Sequence, residues 1–214
     1  MRRVLEPEIL DSLPIDHPEA LRNRNDLAKI NRIAGNFGWF ARTVPPLLRP
    51  GEPILEIGAG TGELGRRLQE IGVPVDGLDL WPRPAGWPET RAWQAADLRQ
   101  FDGFGGYPVI LANLILHQFD AGDLASIGRR LGRSARVVVA SEPARLRRSQ
   151  FLFAAACRFF GANYVTRHDA HVSIAAGFVG RELPELLGLR EDQWQCRCLI
   201  EPLGMYRMVA IRLP

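Results

Sequence analysis

Lysine is nearly missing from this sequence: Lys29 is the only one among 27 basic residues, so the formal net charge of +3 rests on arginine. Arginine clusters at Arg129, Arg130, Arg133 and Arg136, and again at Arg145, Arg147 and Arg148. These positions flank an expected strand and a helix start, where solvated faces ordinarily carry charge, and 24 acidic residues nearly balance the total. Nucleic acid is therefore not the expected partner. Cysteine is scarce and odd in number, and Cys196 and Cys198 alternate on one face of an expected strand while Cys157 stands alone. That spacing suits neither a disulfide framework nor a metal site, so no metal is expected and structural burial is. Long apolar runs are absent too. No stretch approaches the roughly 18 residues of a spanning helix, and Met1 to Pro7 lacks the apolar centre of a signal peptide. The expectation is a cytoplasmic protein without a transmembrane segment. With 214 residues, 46% of them hydrophobic, it has enough apolar surface for one sizeable core.

What is present divides at Gly51. Residues 1–50 read as a helical cap and 51–214 as the core of a single domain. In the cap, Asp16, Pro18 and Glu19 resemble a capped helix start, with Leu21, Leu27, Ile30 and Ile33 near helical spacing until Gly35. A second helix from Asn36 places Phe37, Phe40, Val44 and Leu47 on one face before Pro45, Pro46 and Pro50 end it. From Pro53 short apolar runs alternate with helical segments, the pattern of a parallel sheet with crossover helices. Strands are expected near 53–57, 74–79, 91–95, 107–112 and 135–141, with helices between them, clearest at 63–71 and 120–131. After Pro143 a helical stretch runs through Phe160, followed by an irregular segment and a short helix near 181–187. Two strand-like runs, 193–200 and 206–213, close the chain as an antiparallel hairpin.

The most informative segment is Ile54-Leu55-Glu56-Ile57-Gly58-Ala59-Gly60-Thr61-Gly62-Glu63-Leu64. An apolar strand runs through three alternating glycines straight into a helix, which is how a chain turns sharply while leaving its main chain open to a ligand. The dinucleotide fingerprint spaces its glycines as G-x-G-x-x-G, and its third position is here Glu63. A carboxylate in the first helical turn would oppose a pyrophosphate but tolerates a ligand carrying ammonium and sulfonium charge. A phosphate-binding P-loop is excluded because no Gly-Lys-Ser/Thr follows.

Glu-x-Gly-x-Gly-x-Gly after an apolar strand resembles the first motif of the class I S-adenosylmethionine-dependent methyltransferases. Three further places are similar to that family in order along the chain. They are Val75-Asp76-Gly77-Leu78-Asp79, Ala95-Ala96-Asp97-Leu98, and Val109 to Phe119 with Asn113 and His117, the last as in its quinone and other small-molecule members. The resemblance covers Ile54 to Phe119 and implies a Rossmann-like three-layer α/β sandwich with a seven-stranded, mostly parallel sheet. It implies that Asp79 holds the ribose hydroxyls, Asp97 the adenine amino group and Glu56 the region of the methionine ammonium. Gly58, Ala59, Gly60, Gly62, Leu80, Leu98, Asn113 and Leu114 would line the same cofactor, S-adenosyl-L-methionine. On the residues alone Asp79 and Asp97 read equally as turn residues.

Methyl transfer from a sulfonium asks mainly for alignment and exclusion of water, with a base where the nucleophile is a phenol. Of the histidines, His17 precedes a helix and reads as structural, while His117, His168 and His171 are candidate bases. His168 and Asp169 are candidate substrate contacts, although adjacent side chains point apart. Trp39 and Phe40 could act as a lid over an aromatic or lipophilic acceptor, beside the nearly apolar Phe151 to Phe160. Asn113 is followed by Leu114 and Ile115 instead of Pro-Pro-aromatic, which disfavours base or amide nitrogens as targets. The expected activity is methylation of a small acceptor at oxygen, then carbon. The alternatives are a macromolecular methyltransferase docked through arginine and a non-catalytic cofactor-binding protein.

Overall fold

Strands buried on both faces need uninterrupted apolar residues, and the runs after Pro53 supply them. A computed structural model describes the chain except residues 15, 16, 152 and 154–162, and it leaves several side chains of the second helix undescribed. Asp16, Cys157, most of the apolar run to Phe160 and the side chains of Leu21 and Leu27 therefore lie outside the described residues. The strands are β1 (Ile54–Ile57), β2 (Asp76–Asp79), β3 (Trp93–Ala95), β4 (Val109–Asn113), β5 (Val137–Pro143), β6 (Trp194–Ile200) and β7 (Met205–Arg212). They form one seven-stranded sheet in the order β3-β2-β1-β4-β5-β7-β6. The first five pair in parallel, and β7 runs antiparallel between β5 and β6. The strand order reverses between β1 and β4, which opens a crevice at the carboxyl ends of those strands. This is the three-layer arrangement that the sequence implied.

Helices cover both faces. On one, Leu124, Ile127 and Leu131 of α5 (Ala121–Leu131) meet Leu55, Ile57, Ile110 and Val138. On the other, Leu64 and Leu68 of α4 (Glu63–Glu70) join Phe37 and Phe40 of α3 (Asn36–Thr43) over Leu111 and Val139. Ahead of α3 come α1 (Ile9–Ser12) and α2 (Pro18–Ile33), and after β5 come α6 (Tyr164–Ala176) and α7 (Glu182–Leu186). No helix among the described residues is long and apolar enough to cross a membrane.

Three expectations need correction. The connection from β2 to β3 has no helix, because Pro82, Pro84, Gly86 and Pro88 break it, and the buried Trp87 fills the space instead. The segment expected to be irregular is α6, capped by Asn163, whose side chain accepts the Thr166 N–H at 2.8 Å. Its buried face carries Thr166 and Asp169 among Val165, Val172 and Ala176, so its amphipathic pattern is diluted. At the start of α2 it is His17 that caps the helix, its Nδ1 accepting the Glu19 N–H at 3.2 Å.

Candidate functional site

The register of the sheet aligns the candidate residues along one edge. Asp79 pairs with Ala95 on β3, Ile57 with Ala112 on β4, and Asn113 with Ser141 on β5. Asp97, Asp79, the glycine turn and Asn113 therefore follow one another across the carboxyl edge, where the strand order reverses. Gly58, Gly60 and Gly62 all take positive φ, at 63, 54 and 71°. A Cβ on Gly60 would meet nothing within 4 Å, so its main chain faces open space, whereas one on Gly58 would lie 2.3 Å from Ile115 Cγ1.

Asp79 braces this turn. Its Oδ2 accepts the Gly60 N–H at 2.7 Å and its Oδ1 the Trp81 N–H at 3.0 Å. Burial raises its pKa, against the opposing pull of those main-chain donors. Glu56, fully enclosed, is pushed up to about 8, chiefly by burial and partly by the charge of Asp79, while the Gly65 N–H works the other way. Its Oε2 has no hydrogen-bond partner. A buried carboxyl group with an unused acceptor, beside a turn open to solvent, suits a cationic ligand group. Asp97 accepts the Arg99 N–H at 2.8 Å, so at present it caps its own turn. Leu80 is exposed and Leu98 buried on either side of that edge. Leu114, directly after Asn113, holds φ at 60°, an uncommon conformation for a branched residue.

The remaining candidates lie elsewhere or are already committed. His117, a candidate base by sequence, is buried with Nδ1 2.7 Å from Glu142 and Nε2 3.4 Å from Glu8, so both ring nitrogens face carboxyl groups. Asp169 is 5% exposed and accepts the N–H groups of Ile9 at 2.7 Å and Leu10 at 3.1 Å. It caps α1 and is occupied by main chain instead of facing a substrate. His168 does approach its neighbour, with Nδ1 3.2 Å from Asp169 Oδ1. His171 is exposed, beside a shallow depression with Phe153 and Arg167. Phe40, expected with Trp39 in a lid, is wholly buried in the core over the sheet. Trp39 packs on Phe40 edge to face, with the Arg207 guanidinium 4.8 Å from its ring centre.

Two features escaped the sequence reading. One is a buried polar layer under the amino-terminal helices: Arg207 donates to Asn36 Oδ1, Ser141 Oγ, the Ala34 carbonyl and Glu201, and Asn113 and Asn36 both reach Asn31. The other is Glu142, inside a strand whose seven residues are all buried. The available signal was a charged residue, Arg207 or Glu142, within an apolar strand, which demands partners.

No protein-family model matches the chain, and neither does any curated protein. Among solved structures, the chain is similar to the plantazolicin methyltransferase BpumL in complex with SAH, with 13% identity, a TM-score of 0.70, and coverage of 96% of this chain and 93% of that one. It is also similar to the methyltransferase domain of a bacterial Hen1, CtHen1-C, at 17% identity and TM-score 0.60, over 82% and 96% of the two chains. A third is magnesium protoporphyrin IX methyltransferase, ChlM, from Synechocystis PCC 6803 with bound SAH, at 14% identity and TM-score 0.54, over 86% and 82%. At these identities the likeness establishes the fold: a seven-stranded, Rossmann-like methyltransferase fold.

Proposed function

We propose that this chain binds S-adenosylmethionine at the crevice between β1 and β4 and transfers its methyl group to a small aromatic or lipophilic acceptor, at oxygen in preference to carbon. The observation that carries the reading is the Gly60–Asp79 pair, an open glycine turn braced by an acid at the end of the adjacent strand. S-adenosylhomocysteine, the demethylated cofactor, is present in the structures of BpumL and ChlM. BpumL is also seen with a triazolic desmethylPZN analogue and ChlM is named for magnesium protoporphyrin IX, while Hen1 stands among the same neighbours, so the choice of a small acceptor rests on the sequence motif after β4 and not on these likenesses.

Bound here, the cofactor supplies an electrophilic methyl group, and the protein's share is binding, orientation and exclusion of water. Asp79 keeps acceptor capacity beyond its two main-chain bonds and can take hydroxyl donors. The unused Oε2 of Glu56 can take an ammonium group, directly or through water, and would surrender its proton on doing so. Asp97 and Leu98 flank the far end of the crevice, and Asn113 and Leu114 the end toward β5. No described histidine stands free at this edge, so an acceptor acidic enough to ionise unaided fits best.

Titration calorimetry with S-adenosylhomocysteine tests the reading. Asp79→Ala should weaken binding by about tenfold to a hundredfold, the range for lost charge-assisted hydrogen bonds, while Asp169→Ala should leave it unchanged. A folded wild type that binds neither S-adenosylmethionine nor S-adenosylhomocysteine overturns it.

A further inference from the structure

The first residues of the chain do not trail into solvent. Val4 N–H donates to the Ala175 carbonyl at 3.2 Å, and Arg3 reaches the carbonyls of Ala176 at 2.7 Å, His117 at 3.0 Å and Phe119 at 2.8 Å. Its guanidinium also lies 4.8 Å from the Phe178 ring centre. Together with the Asp169 cap on Ile9 and Leu10, these bonds draw residues 3–10 as a strap across α6 and the loop that follows β4. Under the strap lies a cavity of about 340 Å³, lined among others by Leu5, Glu8, Arg99, Gln118 and Val172. Arg99 is itself held to Asp97, so this cavity adjoins the cofactor edge.

One buried unit links strap, loop and sheet. Glu142 Oε1 accepts the N–H groups of Ile115 at 3.1 Å and Leu116 at 2.9 Å, and Oε2 accepts that of His117 at 3.3 Å. The same Oε2 lies 2.7 Å from His117 Nδ1. A single carboxylate thus fixes three consecutive amides of the loop that carries Leu114 and Ile115 against the glycine turn. The other ring nitrogen of His117 faces Glu8, which Ser173 and Gln118 also contact. A carboxylate at each ring nitrogen favours a proton on both, and so the imidazolium form.

We propose that Glu142, His117 and Glu8 form a positioning clasp: Glu142 shapes the loop beside the glycine turn, and His117 and Glu8 extend that order to the strap, which roofs the acceptor cavity. The part concerning cofactor and acceptor rests on the methyl-transfer reading; the clasp itself does not. Its charge balance gives it a pH window. Burial disfavours a charged His117, but Glu142 and Glu8 outweigh it and push the ring up to about 9. Burial likewise opposes the ionisation of Glu8, yet His117, Ser173 and Gln118 hold its carboxyl below the ordinary value. The other charges facing the clasp are Arg3 of the strap, Asp169 of α6, Arg99 and Asp120 flanking the loop, Glu6 at the cavity, and Arg145 and Glu182 behind Arg3. The strap should therefore stay closed through neutral pH and loosen as pH rises through His117.

Amide hydrogen exchange on the full chain tests the clasp without any ligand. Relative to their intrinsic rates, the amides of Val4, Ile9 and Leu10 should exchange about tenfold faster in Glu8→Gln than in wild type, the change expected for one lost charged hydrogen bond. In wild type the same three should lose protection above pH ~9, while the amides of β4 and β5 keep theirs. Glu142→Gln should in addition expose the amides of Ile115 to His117 and weaken S-adenosylhomocysteine by about tenfold. Exchange at Val4, Ile9 and Leu10 that stays within about twofold of wild type in Glu8→Gln overturns the clasp. So does a folded Glu142→Gln that binds S-adenosylhomocysteine like wild type. A wild type that binds no S-adenosylhomocysteine removes the cofactor reading alone, and the exchange result then still decides the clasp.

Discussion

Gly60 and Gly62 are two residues apart, and the same substitution should damage them in opposite ways. A Cβ on Gly62 would fall 2.6 Å from the Trp87 ring, and its φ of 71° is strained for any L side chain. Strain and overpacking together should make Gly62→Ala about 2 to 4 kcal/mol less stable. Gly60→Ala meets no neighbour and should lose only about 1 to 2 kcal/mol from φ. Yet it puts a methyl group on the open main chain where the cofactor must approach. Melting temperature and S-adenosylhomocysteine affinity, measured on both variants, separate the two effects. Gly60→Ala binding as tightly as wild type would show that no ligand approaches that turn. The place of the glycine turn, Asp79 and Asp97 at the carboxyl ends of strands was legible in the sequence, whereas the roles given to them and to Glu56 came only from the family resemblance. The commitment of Asp169 to Ile9 and Leu10 was not legible, since nothing local in the sequence records a partner 160 positions away.

At the scale of elements, the link between β2 and β3 departs most from a parallel α/β pattern, since parallel neighbours are ordinarily joined through a helix. Residues 80–92 contain none. Trp87 takes over the helix's packing role. Its ring occupies the space where Cβ atoms on Gly62 and Gly65 would stand, and it meets edge to face, at 4.9 Å, the ring of Trp93 that fills the same space over Gly77. Its Nε1 donates to the Ala92 carbonyl at 3.3 Å. Because α4, β2 and the glycine turn all rest on this one ring, Trp87→Ala should lose about 3 to 5 kcal/mol. Trp87→Phe, which keeps most of the ring, should lose clearly less, and urea unfolding of both variants measures the difference. Equal losses would mean that the Nε1 hydrogen bond matters more than the filled volume. The prolines of this link were plain in the sequence. That an aromatic residue would stand in for a helix was not, because periodicity records regular elements and a plug has no period. For the same reason the strand runs were located within a residue or two, whereas α6, whose buried face mixes polar and apolar residues, read as irregular.

Over the whole molecule, the buried ionisable groups give stability a definite pH dependence. Glu56 in the fold holds its proton up to about 8 and His117 up to about 9, both above their ordinary values of 4.5 and 6.5. In each case the folded chain binds a proton that the unfolded chain has released, so stability falls with rising pH, across 4.5 to 8 for the first and 6.5 to 9 for the second. Glu8 and Glu52 act oppositely: their lowered pKa values add stability that disappears only as pH falls below the carboxylate range. The melting temperature should therefore be highest near the ordinary carboxylate range, at pH ~4.5 to 5, and fall steadily toward pH ~9.5. Glu56→Gln, neutral at every pH, should flatten the profile between about pH 4.5 and 6.5 and leave the fall through His117 above that. A saturating cofactor should do something different. If its ammonium group ionises Glu56, the complex releases a proton on forming, and calorimetric enthalpies near pH 7 will vary with the ionisation enthalpy of the buffer. Buffer-independent enthalpies, with binding intact, would mean that Glu56 stays protonated beneath the turn and only supports it. Because Glu56→Gln removes the titrating group, a buffer dependence surviving in that variant would have to come from another site.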